Sequence, residues 1–171
     1  LEFRRVLFRS SLDVRVLGVA GGSMVRANNN KLVDVGPRSA HIAGLKYSVY
    51  TPTEEIVDPK LEFFAPKDGD PADYVCIKLA SGKRVTITNS CAANVLGLVN
   101  EDDYTYGIAE SARLCIQPLA EYLGVTVEEA ARQILQKSYE KIAPVLMDLS
   151  LKYHLDPDQI TLVGVGGGAA S

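Results

Sequence analysis

Between residues 13 and 88, apolar residues come in short β-branched and aromatic runs separated by Gly, Pro, Asn and Asp, the pattern of strands joined by turns. Val14-Arg15-Val16-Leu17-Gly18-Val19-Ala20 reads as a first strand that runs into Gly21-Gly22-Ser23. Residues 24–26 and 31–35 flank Ala27-Asn28-Asn29-Asn30, where Asn tolerates the left-handed conformation of a tight turn, so a hairpin is expected. Residues 36–45 are too rich in small and turn residues for a regular element. Pro52, Pro59, Pro66 and Pro71 predict mostly loop over 51–73, with one short strand at 61–65. A second hairpin pairs 74–80 with 84–88 across Ser81-Gly82-Lys83, where the glycine supplies a positive φ. The small residues of 91–97 lead into a short helix or turn.

From residue 107 the apolar spacing changes to three and four, the period of amphipathic helices. Ile108, Ala112, Cys115, Ile116, Leu119 and Leu123 share one face; Pro118 should kink this helix and Gly124 should end it. Thr126-Val127-Glu128-Glu129 is a capping box. The stripe that follows runs from Val127 through Ile134, Ile142 and Leu146 to Tyr153, predicting a helix to His154, bent at Pro144 and packed on a sheet. Asp156-Pro157-Asp158 then turns the chain into Ile160-Thr161-Leu162-Val163-Gly164-Val165. That run does not alternate, so it reads as a terminal strand buried on both faces, and it empties into Gly166-Gly167-Gly168. The fold class is α/β: a mixed sheet with hairpins, and two long C-terminal helices before a terminal strand.

Composition narrows this picture. With 171 residues, 47% of them hydrophobic and 23% charged, the chain makes one globular domain. A net charge of −3 without a basic stripe speaks against nucleic acid as a partner, and no apolar run is long enough for a membrane span. The cysteines, Cys76, Cys91 and Cys115, are odd in number and widely spaced, which argues for a reducing, cytoplasmic setting. With two histidines only, His41 and His154, no metal site of zinc-ligand spacing is expected. The first ten residues repeat Phe-Arg without caps, alternation or the layout of a signal peptide. Residues 1–12 are therefore read as a non-native junction and 13–171 as the domain.

The candidate chemistry lies in two glycine loops. Gly21-Gly22-Ser23 and Gly166-Gly167-Gly168 each follow a strand-like run, and glycine lets backbone N–H groups approach a ligand with no Cβ in the way. Either loop is equally readable as a plain turn. Arg38 and His41 could meet an anion, against the simpler reading of a surface arginine and a loop-bonded histidine. Cys91, with nothing basic beside it, reads as a buried inert thiol.

Taken together, residues 17–23, residues 35–40 and the passage from Asp156 to Gly168 resemble the hydantoinase A/5-oxoprolinase family, with two helices before the last strand as in that family. The resemblance spans 13–171. It implies a partial actin-like, ribonuclease H-like ATPase lobe, in which ATP with Mg²⁺ drives the opening of a small cyclic amide such as 5-oxoproline or a hydantoin. It also implies nucleotide contacts at Gly21, Gly22, Ser23, Gly166, Gly167 and Gly168. A second hydantoinase-type subunit, or further parts of the same chain, would be the partner. Two departures stand out: the family's Asp-containing segment appears here as Thr88-Asn89-Ser90-Cys91-Ala92-Ala93-Asn94, without an Asp, and family members are several times longer. The chain is accordingly expected to be an internal fragment that binds ATP weakly or not at all by itself. The competing readings are a ketone carboxylase subunit or a sugar-kinase-like ATPase of the same fold, and a non-catalytic α/β interaction module.

Overall fold

A computed structural model describes residues 13–156, 158–161 and 163–164. Within them the chain forms a six-stranded mixed sheet and three α-helices. β1 (Ser23–Asn28) and β2 (Lys31–Ser39) make the first hairpin, closed by Asn29 at φ 50° and Asn30 at φ 56°. Two left-handed residues in succession define a type I′ turn, whose twist matches that of the strands. β3 (Lys46–Tyr47) leads through two 3₁₀ turns to β4 (Lys60–Phe64), β5 (Tyr74–Lys78) and β6 (Arg84–Thr86). The hairpin of β5 and β6 turns on Gly82 at φ +82°, as its sequence predicts.

The strand order is β2-β1-β5-β6-β3, with β4 on the opposite side of β5. All pairings are antiparallel except β3 with β6, which makes the sheet mixed. α1 (Asn89–Val95), α2 (Ala109–Leu123) and α3 (Val127–Lys152) cover one face. Val25, Val75, Ile77 and Ile87 from the strand region meet Ile116 and Ile134 from the helices in a fully buried core. Gly124 at φ +71° ends α2, and the Thr126 hydroxyl accepts the Glu129 N–H to start α3, both as their sequence signals require. No described helix is long and apolar enough to cross a membrane.

Several expectations are corrected. Residues 14–20 form no strand; Val16 is 90% exposed, and the first strand begins after the glycines, at Ser23. An apolar run becomes a strand only where a neighbour offers backbone partners in register; this one touches β2 where Gly18 meets Gly36 and Pro37 but forms no ladder with it. Of the predicted terminal strand, residues 160, 161, 163 and 164 are described and none is in a strand, with Val163 72% exposed; the rest of that run and Gly166-Gly167-Gly168 lie outside the described residues.

Conversely, β2 continues through Gly36-Pro37-Arg38-Ser39, which the residue types alone mark as irregular. β2 is an edge strand, where a proline removes no essential ladder bond, and register shifts absorb the misfit. α2 and α3 run unbroken through Pro118 and Pro144. The stripe of α3 is buried only as far as Ser138; beyond it Ile142, Leu146, Leu151 and Tyr153 are exposed.

Candidate functional site

Gly21-Gly22-Ser23 forms a turn that three parts of the chain grip at once. The Ser23 N–H donates to the Ala20 carbonyl at 3.0 Å, and the Ala20 N–H donates back to the Ser23 hydroxyl at 2.9 Å. Ser23 is 3% exposed, so its hydroxyl serves this turn. The Gly21 carbonyl accepts both the N–H of Ser90 at 2.9 Å and its hydroxyl at 3.1 Å, which fastens the loop to the first turn of α1. The Gly22 carbonyl accepts the Ala40 N–H at 3.0 Å, which fastens it to the end of β2. The Gly22 N–H has no acceptor among the described residues.

Neither Gly21 nor Gly22 is held at positive φ. What excludes a side chain at 22 is Tyr47: a Cβ there would stand 2.0 Å from its hydroxyl oxygen and 2.9 Å from Cζ. Tyr47, at the end of β3, is thus the residue that lies on the glycine loop. Residue types alone do not point to it. Its ring leans on Tyr50 with centroids 5.5 Å apart, its carbonyl accepts the Thr51 hydroxyl at 3.0 Å, and its hydroxyl has no partner among the described residues. Burial raises the phenol's pKa, so it stays a donor at neutral pH.

Gly36 does need its freedom, with φ +78° and a would-be Cβ 2.1 Å from the Gly18 carbonyl oxygen. The chain entering the glycine loop therefore crosses β2 at contact distance, beside the cis Gly36-Pro37 bond. Asn89 ties the same loop to the helices: its amide N–H donates to the Ala20 carbonyl at 3.0 Å while its carbonyl accepts the Ser138 hydroxyl of α3 at 2.8 Å. A carboxylate in place of that amide has no hydrogen to give Ala20. Here the segment without an Asp carries the loop's anchor.

The remaining predicted residues stand apart from this cluster. Arg38 forms a forked pair with Asp70, at 2.8 to 3.1 Å, which lowers the Asp70 pKa and raises that of Arg38. His41 is exposed on the turn that follows β2. Cys91 is fully buried, between the hydroxyls of Ser48 at 3.2 Å and Thr88 at 3.3 Å. Cys115 is pushed up to about 12 by burial, so it carries no thiolate at neutral pH. Among the described residues no three His, Cys, Asp or Glu side chains come together as a metal site. The apolar groove of about 680 Å³ between β4 and α2, lined by Leu61, Phe63, Leu114 and Tyr122, contains none of the predicted site residues.

The family model of the hydantoinase/oxoprolinase proteins matches residues 4–171, a span that also takes in most of residues 1–12. Among curated proteins and among solved structures, none matches the chain significantly. A match over nearly the whole length, on a sequence whose glycine turn is braced by β2 and α1 as described above, places this chain in the hydantoinase/oxoprolinase family.

Proposed function

We propose that the chain serves the ATP-driven opening of a small cyclic amide of the 5-oxoproline or hydantoin type, with Gly21-Gly22-Ser23 as one backbone contact to the nucleotide and Gly166-Gly167-Gly168 as the other. The family supports hydrolysis of cyclic amides. The observation that carries the nucleotide reading is the glycine turn itself. It is held by β2 and α1 through its carbonyls, and it keeps the Gly22 N–H without an acceptor among the described residues. A rigid turn with a free N–H beside a hydroxyl donor suits a phosphate oxygen.

The described residues fit a nucleotide better than they fit a protein-bound metal. With no cluster of three ligands among them, Mg²⁺ would arrive on the phosphates, keeping much of its water shell. ATP, when bound, supplies the phosphoryl transfer that drives hydrolysis of an unstrained ring amide; the chain's own residues bind and orient it. Arg38 is committed to Asp70, so an anion would reach it only by displacing that carboxylate, and His41 is exposed on the turn after β2, apart from the glycine cluster. A second hydantoinase-type subunit or further parts of the chain would complete the substrate pocket. A reducing, ATP-containing compartment such as the cytoplasm suits three buried free thiols.

The test uses the protein expressed from its complete reading frame. Calorimetric titration with Mg-ATP should show binding, and release of ADP should rise when 5-oxoproline or hydantoin is added. Absence of Mg-ATP binding, or ATP hydrolysis indifferent to every cyclic amide offered, would overturn the proposal. Bicarbonate-dependent turnover of a ketone would move the chain to the carboxylase branch.

A further inference from the structure

The Tyr47 hydroxyl lies directly on the glycine turn, and unlike the Ser90 hydroxyl and the Asn89 amide, which donate to the carbonyls of Gly21 and Ala20, it has no partner among the described residues. The ring is fixed from several sides. Its backbone is paired in β3 with Thr86 of β6, its carbonyl takes the Thr51 hydroxyl, and its face leans on Tyr50. Tyr50 shows what a purely structural tyrosine does here, since its own hydroxyl donates to the Thr105 carbonyl at 3.2 Å. The Tyr47 hydroxyl instead ends over Gly22 without a partner among the described residues, at the place a side chain on residue 22 would occupy. It remains partly accessible, and no side-chain polar atom in the described structure is both buried and unpartnered. A rigid ring that carries a half-buried donor onto a backbone turn is a pre-organised contact, since little side-chain freedom is left to lose on binding.

We propose that Tyr47 is a ligand-binding residue, its hydroxyl donating a hydrogen bond to an anionic phosphate oxygen seated against Gly22, so that side chain and backbone N–H hold the same oxyanion. This rests on the nucleotide reading above and adds to it a side-chain donor that is left without a partner among the described residues. It also accounts for glycine at 22 without positive φ: the residue must be small so that the phenol can reach the turn.

The experiment compares wild type, Tyr47→Phe and Tyr50→Phe in the protein expressed from its complete reading frame, with Mg-ATP as the probe. Tyr47→Phe keeps the ring, so thermal unfolding without nucleotide should not change. Its Mg-ATP dissociation constant should rise about tenfold or more, the worth of one hydrogen bond to a charged acceptor. Tyr50→Phe should lower the unfolding temperature and leave Mg-ATP affinity within about twofold. The NMR signal of the hydroxyl-bearing carbon of Tyr47 should shift when Mg-ATP is added. Wild-type binding with an unchanged dissociation constant in Tyr47→Phe would overturn this inference alone. A wild-type protein that binds no Mg-ATP would overturn the nucleotide reading and this inference with it.

Discussion

At the scale of single residues, the glycine turn is anchored by Asn89 and Ser90, whose polar side chains are spent on its carbonyls. Asn89 is the clearest case, because its amide must donate to the Ala20 carbonyl and accept from Ser138 at the same time. Asn89→Asp keeps the shape and the bond from Ser138 but sets a carboxylate oxygen against the Ala20 oxygen. An unpaired buried acceptor costs about 1–3 kcal/mol, so the variant should unfold that much more easily at neutral pH. The sign of its pH dependence follows. Burial and the facing carbonyl favour the neutral acid, so the folded pKa of the new carboxyl lies above its unfolded value of about 3.9. The defect should therefore shrink below the unfolded pKa, where the acid can donate to Ala20, and be fully developed once pH exceeds the folded pKa. Urea unfolding of both proteins from pH 3 to 8 measures it; a deficit independent of pH would show that packing, and not the missing donor, is at fault.

At the scale of elements, caps and turns behave as their residue types require, and the helices continue through their prolines. Thr126 caps α3 and Gly124 closes α2, so the two helices are separated by a connection set locally. Thr126→Ala should cost about 1 kcal/mol, read as a lower midpoint in chemical denaturation with an unchanged slope. Pro118 and Pro144 sit inside continuous helices. Each leaves one carbonyl of the preceding turn without its helical partner, which for Pro144 is that of exposed Glu140, where water can replace the bond. The edge position of β2 explains in the same way why Pro37 is tolerated within a strand.

At the scale of the whole molecule, sheet and helices enclose all three cysteines, each free and buried. Cys115, pushed up to about 12, cannot supply a thiolate at neutral pH. The native protein should react slowly with a thiol reagent at pH 8 and release three equivalents promptly once unfolded in guanidinium. A fast native equivalent would place one thiol at the surface. The loops meanwhile are held to the sheet by forked ion pairs, Arg38 with Asp70 and Arg26 with Asp73.

Local chemistry was legible from the residues alone: both Asn- and Gly-closed hairpins, the short strand near 61–65, the Thr126 cap and the two long helices; the Glu129 carboxylate expected to complete a capping box bonds Arg132 and Gln133 instead. Each of these depends on residues close together in the chain, through φ preferences, caps and period. The family was legible for a related reason, since its signature is the order of short motifs along the chain. What only the tertiary structure decided is which apolar runs find a partner. Residues 14–20 have a strand-like sequence and touch β2 without forming a ladder, whereas Gly36-Pro37-Arg38-Ser39 looks irregular and is drawn into β2 by its pairing with β1. The candidate site divides along the same line. Gly21, Gly22 and Ser23 announce a turn by their residue types, but Tyr47, Asn89, Ser90 and Ala40 reach it from up to 69 residues away. Such contacts depend on strand order and helix packing, which no local pattern records.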